Sequence, residues 1–379
     1  MKKMNRRQLI DWLGIVRIPG FGPVLLNRLI DGLGSVEAVL SVSEAELRDV
    51  SGVPLPLLNA ILEIRHRHHP VRLAMALELD RLTAMGGRVL IPGDGEYPAI
   101  LGSLYDPPAA LFVLGDPQYL AADDKIAVVG SRRASPAGCQ MARKMAAQLA
   151  SHGLITVSGL ALGIDTAAHQ GALDAQGATV AVVATGLDIE YPKGQGELRQ
   201  RIVERGCVLT EAFLGTEPAP YLFPVRNRLL SGLSRGVVVV EATLQSGSLV
   251  TARCALEQGR EVFAVPGPIS DPRSQGVHQL LKQGACLVEC VEDILTALHF
   301  SLRPLPVSDT LSPSVAGAKS NVIAEILAIL THGPLQADEI ARSCQLTAGE
   351  LSSILLQLEL VGAIRRQSGN WISLDGSEK

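Results

Sequence analysis

The stretch IAVVGSRRASPAG, residues 126–138, is the most informative part of the sequence about the fold, because it contains the signals of a strand, a turn and a helix in succession. The apolar residues Ile126 to Val129 are typical of a short buried strand. The run stops at Gly130, two arginines follow, and a Ser-Pro pair and a further Gly come next, which indicates a tight turn and then a helix. Such turns hold phosphate groups in α/β sheets. The stretch therefore predicts a phosphate-binding turn, although it matches neither GxGxxG nor GxxxxGK[ST].

The pattern of a strand followed by a helix repeats from about residue 86 onwards, where short apolar runs alternate with helical stretches. The predicted strands are RVLIP (88–92), KIAVVG (125–130), ITVSG (155–159), TVAVVATG (179–186), CVLTE (207–211), GVVVVEA (236–242), EVFAVPG (261–267) and CLVE (286–289). Apolar strands separated by helices describe a parallel sheet that is covered on both faces. The predicted class is thus α/β, and functional residues should lie at the carboxyl ends of the strands.

Two smaller segments flank this α/β domain, which we assign to residues 86–300. Residues 1–85 read as short helices with Gly-x-Gly turns, a pattern typical either of helix-hairpin-helix units that bind nucleic-acid phosphates or of a plain helical packing domain. A Pro- and Ser-rich linker at 301–318 precedes residues 319–375, whose three helices and two-stranded wing predict a winged helix. The final segment, 319–379, holds five Lys and Arg against seven Asp and Glu, which favours a protein-contact or regulatory role over ordinary duplex binding.

Composition narrows the class of protein. The chain has 379 residues, 47% hydrophobic and 19% charged, with a net charge of −4, which argues against blanket electrostatic binding of nucleic acid but permits a local basic groove. The six cysteines form no C-x-x-C pair and no His cluster completes a metal set, so we expect reduced thiols, no metal and no cofactor. We find no signal peptide and no membrane segment, and we expect a cytoplasmic protein.

Small residues and cations gather at successive predicted strand ends. The small residues leave backbone N–H groups open to an anionic ligand, and the following helix N-termini add positive potential. The arginines and the lysine supply full charges, and Phe223 offers a ring face to a base. The candidate binding residues are Gly130, Ser131, Arg132, Ser158, Gly159, Lys193, Phe223, Arg226, Asn227, Arg228 and Ser248. Several separate cations suit a ligand that carries several phosphates.

Catalytic machinery is not visible in the sequence. Asp165 and His169 lie one helical turn apart and form either a general acid–base pair or, more commonly, a structural pair joined by an orienting hydrogen bond. H-E-x-x-H and a Walker lysine are absent from the sequence. We therefore predict a protein that is not an enzyme.

The motif set as a whole resembles one known family. GSRRASPAG, SGLALGIDTAAHQGAL, YPKG, FPVRNR, SGSLVTA, VPG and GVHQLLKQGA, in this order, are similar to the DNA-processing protein A (Smf) family, densely from about residue 86 to 297. The resemblance implies an extended Rossmann-like domain, an N-terminal domain of sterile-alpha-motif or helix-hairpin-helix type, and a C-terminal winged helix. It implies binding of single-stranded DNA and loading of RecA during natural transformation, in which RecA displaces single-strand-binding protein. No catalysis is implied.

The resemblance also extends to individual residues. It implies that the DNA pocket holds Ser131, Arg132, Ser158, Gly159, Lys193, Arg226, Asn227 and Arg228. It implies a homodimer, with self-association through the segment that contains Val277, His278, Leu280 and Leu281. A dimer would place two pockets on one strand and tighten binding by avidity.

Two other functions stay open on the sequence. Rossmann-like nucleotide phosphoribohydrolases also use small-residue loops and a Thr…Glu helix, to which Thr251 and Glu257 bear a faint similarity. The second alternative is an adaptor that binds only proteins, through the winged helix and the dimer segment.

Overall fold

The computed structural model divides the chain into two compact units, Met1–Arg303 and Pro304–Lys379. The structure describes residues 4–49, 53–66, 68–299, 325–330, 333–344, 346–347, 349, 351, 354–355, 358–359, 364–367 and 371–374. The predicted linker, residues 301–318, lies outside the described residues.

A nine-stranded sheet organises the first unit. Its strands are β1 (Arg88–Leu90), β2 (Leu111–Gly115), β3 (Lys125–Val129), β4 (Ile155–Ser158), β5 (Thr179–Val182), β6 (Cys207–Thr210), β7 (Gly236–Val239), β8 (Glu261–Ala264) and β9 (Cys286–Leu287). Their order across the sheet is β1-β2-β6-β5-β4-β3-β7-β8-β9. Each of the eight runs predicted as strands contains one of them, and only β2 was missed.

Seven of these strands form the predicted parallel sheet. Strands β3 to β9 pair in parallel, with Val129 opposite Val239 where β3 meets β7. The expectation of a wholly parallel sheet is wrong at one edge, because β2 runs antiparallel to β6 and β1 antiparallel to β2. The class remains α/β with a mostly parallel sheet.

Helices cover both faces of the sheet. The helices of this unit are α1 (Arg6–Val16), α2 (Pro23–Leu33), α3 (Val36–Ser41), α4 (Glu44–Asp49), α5 (Leu55–Ile64), α6 (Pro70–Ala84), α7 (Ala99–Gly102), α8 (Gln118–Ala121), α9 (Pro136–Ser151), α10 (Ile164–Asp174), α11 (Gly196–Arg205), α12 (Leu222–Gly232), α13 (Gly247–Glu257), α14 (Gln275–Lys282) and α15 (Val291–Ala297), with a 3-10 turn at Pro272–Ser274. Successive side chains of β3 alternate between two cores. Ile126 and Val128 pack with α9, α10 and α15, whereas Ala127 and Val129 pack with α12, α13 and α14. No helix among the described residues is long and apolar enough to cross a membrane.

The N-terminal helices share a core with the antiparallel side of the sheet. Buried residues of α1 to α6 belong to one hydrophobic cluster with Phe112 of β2 and Val208 of β6. Trp12 donates from Nε1 to the Ala109 carbonyl over 2.7 Å, and the Glu78 carboxylate accepts from the Leu214 amide over 2.6 Å. These contacts join the helices to the sheet within one compact unit, while the boundary at residue 85 stays a prediction.

The second unit is a small winged helix. Strands β10 (Leu335–Gln336), β11 (Ile364–Gln367) and β12 (Trp371–Leu374) form an antiparallel sheet in the order β10-β12-β11. Helix α16 (Ala337–Ser343) follows β10, and residues 325–330 are also helical. Buried apolar residues from these elements, including Ile326, Ile340 and Ile372, form its core.

Candidate nucleic-acid interface

The strand order creates a crevice at the carboxyl ends of β3 and β7. From β3 the chain proceeds towards β4, β5 and β6 on one side, and from β7 towards β8 and β9 on the other. The loops that leave β3 and β7 therefore diverge, which is where open α/β sheets bind ligands. A cleft of about 1000 Å³ lies at this point, lined by Val129, Gly130, Ser131, Arg132, Arg133, Ala161, Asp165, Tyr191, Pro218, Ala219, Pro220, Phe223, Pro224, Arg226, Asn227, Leu230, Thr243, Ser246, Gly247, Ser248, Thr251 and Arg273.

Close backbone contacts shape the loop at 130–133. Gly163 has a φ of 81°, and a Cβ atom there would lie 2.4 Å from the Ser131 carbonyl oxygen. A Cβ atom on Gly130 would lie 2.6 Å from Ile164 Cγ1. Both glycines are thus required so that the loops after β3 and β4 can pack together. Gly130 lines the cleft, and its lack of a side chain also permits this packing.

Arg132 and two aromatic rings form a stacked wall of the cleft. The Arg132 Cζ atom lies 4.7 Å from the centre of the Phe223 ring. Phe223 in turn contacts Tyr191, with ring centres 5.6 Å apart and planes tilted by 50°. Beside them, the Ser131 hydroxyl accepts a hydrogen bond from the Arg133 amide over 3.1 Å. Arg132 itself is exposed, so its guanidinium is available to an anion or a base.

Arg226 lies beneath the cleft as a buried cation. Only 7% of the residue is exposed, and Nη1 donates to the Val182 carbonyl. Burial lowers the pKa of Arg226 to about 10, although Asp165 opposes the shift. Nε is buried and has no hydrogen-bond partner among the described residues. Arg226 therefore contributes positive potential to the floor of the cleft, instead of the exposed charge that the sequence suggested.

Asp165 and Gly159 hold this floor together. The Asp165 carboxylate accepts from the Gly159 amide over 3.1 Å and from the Ala161 amide over 3.4 Å. Burial raises the pKa of Asp165, and Arg226 is the main influence that opposes the rise. A Cβ atom on Gly159 would lie 2.0 Å from Arg226 Nη1. Gly159 thus packs against Arg226, and its backbone N–H already donates to Asp165 instead of facing a ligand.

The opposite wall is the start of α13. Asn227 donates from Nδ2 to the Gly247 carbonyl over 3.2 Å, which fixes the first residue of the helix. The hydroxyls of Ser246 and Ser248 lie 2.8 Å apart. The first turn of α13 opens on the cleft and presents the positive end of the helix dipole to an anion.

The structure corrects the placement of Arg228. Arg228 follows Arg226 by two residues on α12, which corresponds to a rotation of about 200° around the helix axis. The two side chains therefore point to different sides of the helix. Arg228 pairs with Asp106 over 3.1 Å and with Glu211 over 2.6 Å, and it does not line the cleft. Its charge is already neutralised by two carboxylates.

Ser158 and Lys193 are also placed outside the cleft. Ser158 is fully buried, and its hydroxyl donates to the Val128 carbonyl over 2.6 Å, so it bonds two neighbouring strands. Lys193 is exposed on the loop after β5 but is not among the lining residues. Its neighbour Tyr191 occupies the cleft wall in its place.

The predicted hydrogen bond between Asp165 and His169 is wrong, because each side chain has other partners. His169 Nδ1 lies 2.8 Å from the Thr179 hydroxyl, whose own proton goes to the Thr156 carbonyl over 2.8 Å. His169 therefore donates from Nδ1, and its buried Nε2 has no hydrogen-bond partner among the described residues. Burial lowers the pKa of His169 to about 3, with Arg226 adding to the shift. This histidine is a neutral core residue.

The helix assigned to self-association packs mainly inwards. Val277 and Leu280 of α14 are buried in the core beneath β8, so of the two placements that their apolar spacing fits, an exposed patch or the core, these two residues take the core. His278 Nε2 lies 3.0 Å from the Gly267 carbonyl oxygen, and Leu281 is half-buried. Only these two of the four residues retain exposed surface.

Among the lining residues that sequence reasoning missed, three carry a charge or an aromatic ring: Arg133, Tyr191 and Arg273. Arg133 had a signal, since it follows Arg132 directly, whereas Tyr191 and Arg273 arrive from loops distant in sequence. Of the faint phosphoribohydrolase pair, Thr251 lines the cleft but Glu257, an exposed residue at the end of α13, does not. Among the described residues, no group of three His, Cys, Asp or Glu side chains could hold a metal ion.

Comparison with known proteins identifies the family. Residues 88–299 match the model of DNA recombination-mediator protein A, and residues 312–370 match the DprA winged helix domain. Protein Smf of Escherichia coli is 44% identical over 291 residues, which cover 75% of this chain and 77% of that protein. DNA processing protein DprA of Streptococcus pneumoniae is 46% identical over 207 residues, covering 55% of this chain and 73% of that protein.

Solved structures agree with the sequence relatives. The X-ray structure of DNA processing protein A from Streptococcus pneumoniae has a TM-score of 0.62 at 35% identity and covers 78% of this chain and 98% of its own. DNA processing protein A from Helicobacter pylori, whose structure describes a single-stranded DNA binding mode, has a TM-score of 0.51 at 31% identity and covers 56% of this chain and 95% of its own. The chain therefore belongs to the DNA recombination-mediator protein A (DprA/Smf) family.

Proposed function

We propose that this chain binds single-stranded DNA in the cleft at the carboxyl ends of β3 and β7 and mediates recombination on it. The observation that carries the proposal is the wall formed by Arg132, Phe223 and Tyr191 beside the bare loop at 130–133. It combines a cation for phosphate with ring faces for bases, the two elements that single-strand binders use. The single-stranded DNA binding mode described for the Helicobacter pylori relative supports it.

The cleft favours unpaired over paired DNA on chemical grounds. A phosphate at the loop 130–133 meets backbone amides and Arg132, and the start of α13 adds positive potential from the other side. A base that stacks on the cleft wall must leave its neighbours in the strand, and duplex pairing prevents this. Ser131, Arg132, Phe223 and Ser248 are the proposed direct contacts, with Arg226 and Asn227 supporting them from below.

We further propose the protein partners that membership of the family implies, which are RecA, single-strand-binding protein and a second copy of this chain. Bound single strands would be protected and handed to RecA, which then replaces single-strand-binding protein during natural transformation. A homodimer would place two clefts on one strand, although Val277 and Leu280 do not supply its surface. We propose that this activity takes place in the cytoplasm and involves no catalytic step by this chain.

A titration of labelled oligo-dT by fluorescence anisotropy tests the proposal. We expect saturable binding that weakens with salt, and weaker binding of a hairpin duplex of equal length. An adaptor for proteins alone would give no saturable signal, and equal affinity for duplex would contradict the single-strand cleft. Incubation with nucleoside monophosphates, followed by analysis for released base, tests the phosphoribohydrolase alternative separately. Strand exchange by RecA on DNA coated with single-strand-binding protein, with and without this chain, tests the mediator role.

A further inference from the structure

Arg273 reaches the cleft from the loop that follows β8. Its carbonyl accepts from the Ala242 amide over 2.7 Å, and the Gly276 amide donates to the Ala242 carbonyl over 2.8 Å. These bonds attach the 3-10 turn Pro272–Ser274 to the end of β7, directly beside the loop at 243–248. The position of Arg273 is thus fixed by the backbone, and its side chain lines the cleft.

A carboxylate holds the Arg273 guanidinium. Nε lies 2.9 Å from Asp271 Oδ1, and Nη2 lies 2.8 Å from Asp271 Oδ2, which is a bidentate pair. The Asp271 carboxylate also accepts from the Arg273 amide over 2.9 Å, so its own turn keeps it in place. The side chains remain 36% and 21% exposed, so the pair meets solvent at the cleft surface. Nη1 has no hydrogen-bond partner among the described residues, and it is available to an anion.

Arg273 and Arg132 lie on separate loops of the cleft. Arg132 follows β3, whereas the turn that carries Arg273 follows β8 and is bonded to Ala242, just after β7. Both side chains line the cleft, Arg132 on the loop at 130–133 and Arg273 beside the loop at 243–248. An extended polynucleotide in the cleft can therefore meet the two guanidinium groups with different phosphates.

We infer that Arg273 forms a second phosphate subsite of the cleft and that Asp271 competes with the DNA backbone for its guanidinium. This inference rests on the proposed binding of single-stranded DNA. In the free protein Asp271 satisfies Arg273, and a phosphodiester oxygen must share or replace that carboxylate when the strand binds. Asp271 thus reduces the affinity for DNA, because it occupies the Arg273 guanidinium that would otherwise be free to bind a phosphate.

Four variants test the inference against labelled oligo-dT. Asp271→Asn keeps an oxygen for the Arg273 amide but removes the competing charge, and we expect binding about 3-fold tighter, the range of one exposed ion pair. Arg273→Ala should bind about 5-fold more weakly, with a salt slope smaller by about 0.7, the value for one phosphate contact on a single strand. The double variant should bind as Arg273→Ala does, since Asp271 acts only through Arg273. Asp174→Asn, at the far end of α10 in an ion pair with Arg143, makes the same change in net charge as a control.

The double variant separates competition from a general charge effect. If Asp271→Asn tightens binding equally with and without Arg273, or no more than Asp174→Asn does, the inference is overturned. An unchanged salt slope in Arg273→Ala overturns it as well. In these cases the wild-type protein still binds oligo-dT and the proposed function stands. Absence of saturable binding by the wild type contradicts the proposed function itself.

Discussion

Replacement of Arg132 by alanine is the perturbation whose size can be worked out from the cleft. Arg132 is exposed, so its hydrogen bonds to phosphate are gained only on binding. Such charge-assisted hydrogen bonds contribute about 1.5–3 kcal/mol to the free energy of binding. Because Arg132 is exposed to solvent and salt, the lower limit of this range falls to about 1 kcal/mol. The stacking of Arg132 on Phe223 exists in the free protein too and largely cancels. We expect single-strand binding to weaken by about 1–3 kcal/mol, or roughly 5- to 140-fold.

Fluorescence anisotropy with labelled oligo-dT across a series of salt concentrations measures this effect. The slope of log K against log salt should fall by about 0.7, because one phosphate contact is lost. Arg132→Lys keeps the charge but not the planar fork, so it should lie between the wild type and alanine. Arg143→Ala, which removes an arginine far from the cleft, is the matched control. An Arg132→Ala affinity within twofold of the wild type, with an unchanged salt slope, would show that Arg132 does not contact the DNA phosphates.

Three further predictions concern the residues around the cleft. Arg228→Ala should lower the free energy of unfolding by about 3 kcal/mol, because it leaves the Glu211 carboxylate without its partner, while oligo-dT affinity stays at the wild-type value; a marked loss of affinity in a correctly folded variant would contradict its placement outside the cleft. Gly159→Ala should cost about 2 kcal/mol in urea unfolding and also weaken DNA binding, since the new Cβ atom would collide with Arg226; a stable variant with normal binding would show that Arg226 is not held as described. His169 has a pKa of about 3 in the folded state against about 6.5 when unfolded, so the unfolded chain binds the extra proton between these values. The free energy of unfolding should therefore fall as pH is lowered from 6.5 towards 3, by up to about 1.4 kcal/mol per pH unit, and His169→Asn should flatten this dependence.

Most strands of the sheet could be predicted from the sequence because they are buried on both faces and are therefore apolar along their length. Runs such as 126–129 and 236–239 are β-branched or small throughout and end at a turn, which leaves little ambiguity. Strand β2 was missed because Leu111–Gly115 follows a Pro-Ala stretch, and the helix before it, α7, has only four residues. Its direction was equally hidden, since apolarity does not tell a parallel neighbour from an antiparallel one.

The candidate site was only half predictable, because helix phase and distant partners decide which cations reach the cleft. Arg226 and Arg228 look equivalent in the sequence, yet the carboxylates that take up Arg228 come from other parts of the chain. Tyr191 and Arg273 enter the cleft only because the strand order brings the loops after β5 and β8 towards β3. No local pattern contains that order.

Helix α14 shows the same limit for surfaces. Its apolar residues recur at helical spacing, a pattern that fits a buried face as well as an exposed patch. Packing against β8 places Val277 and Leu280 inside. The sequence specified an amphipathic helix but not what covers its apolar side.

A crystal structure of this chain with a short oligo-dT would show whether the strand occupies the cleft. We expect a phosphate against residues 130–133 and the start of α13, with a base on the ring of Phe223. DNA bound elsewhere on the protein, with this cleft left empty, would contradict it.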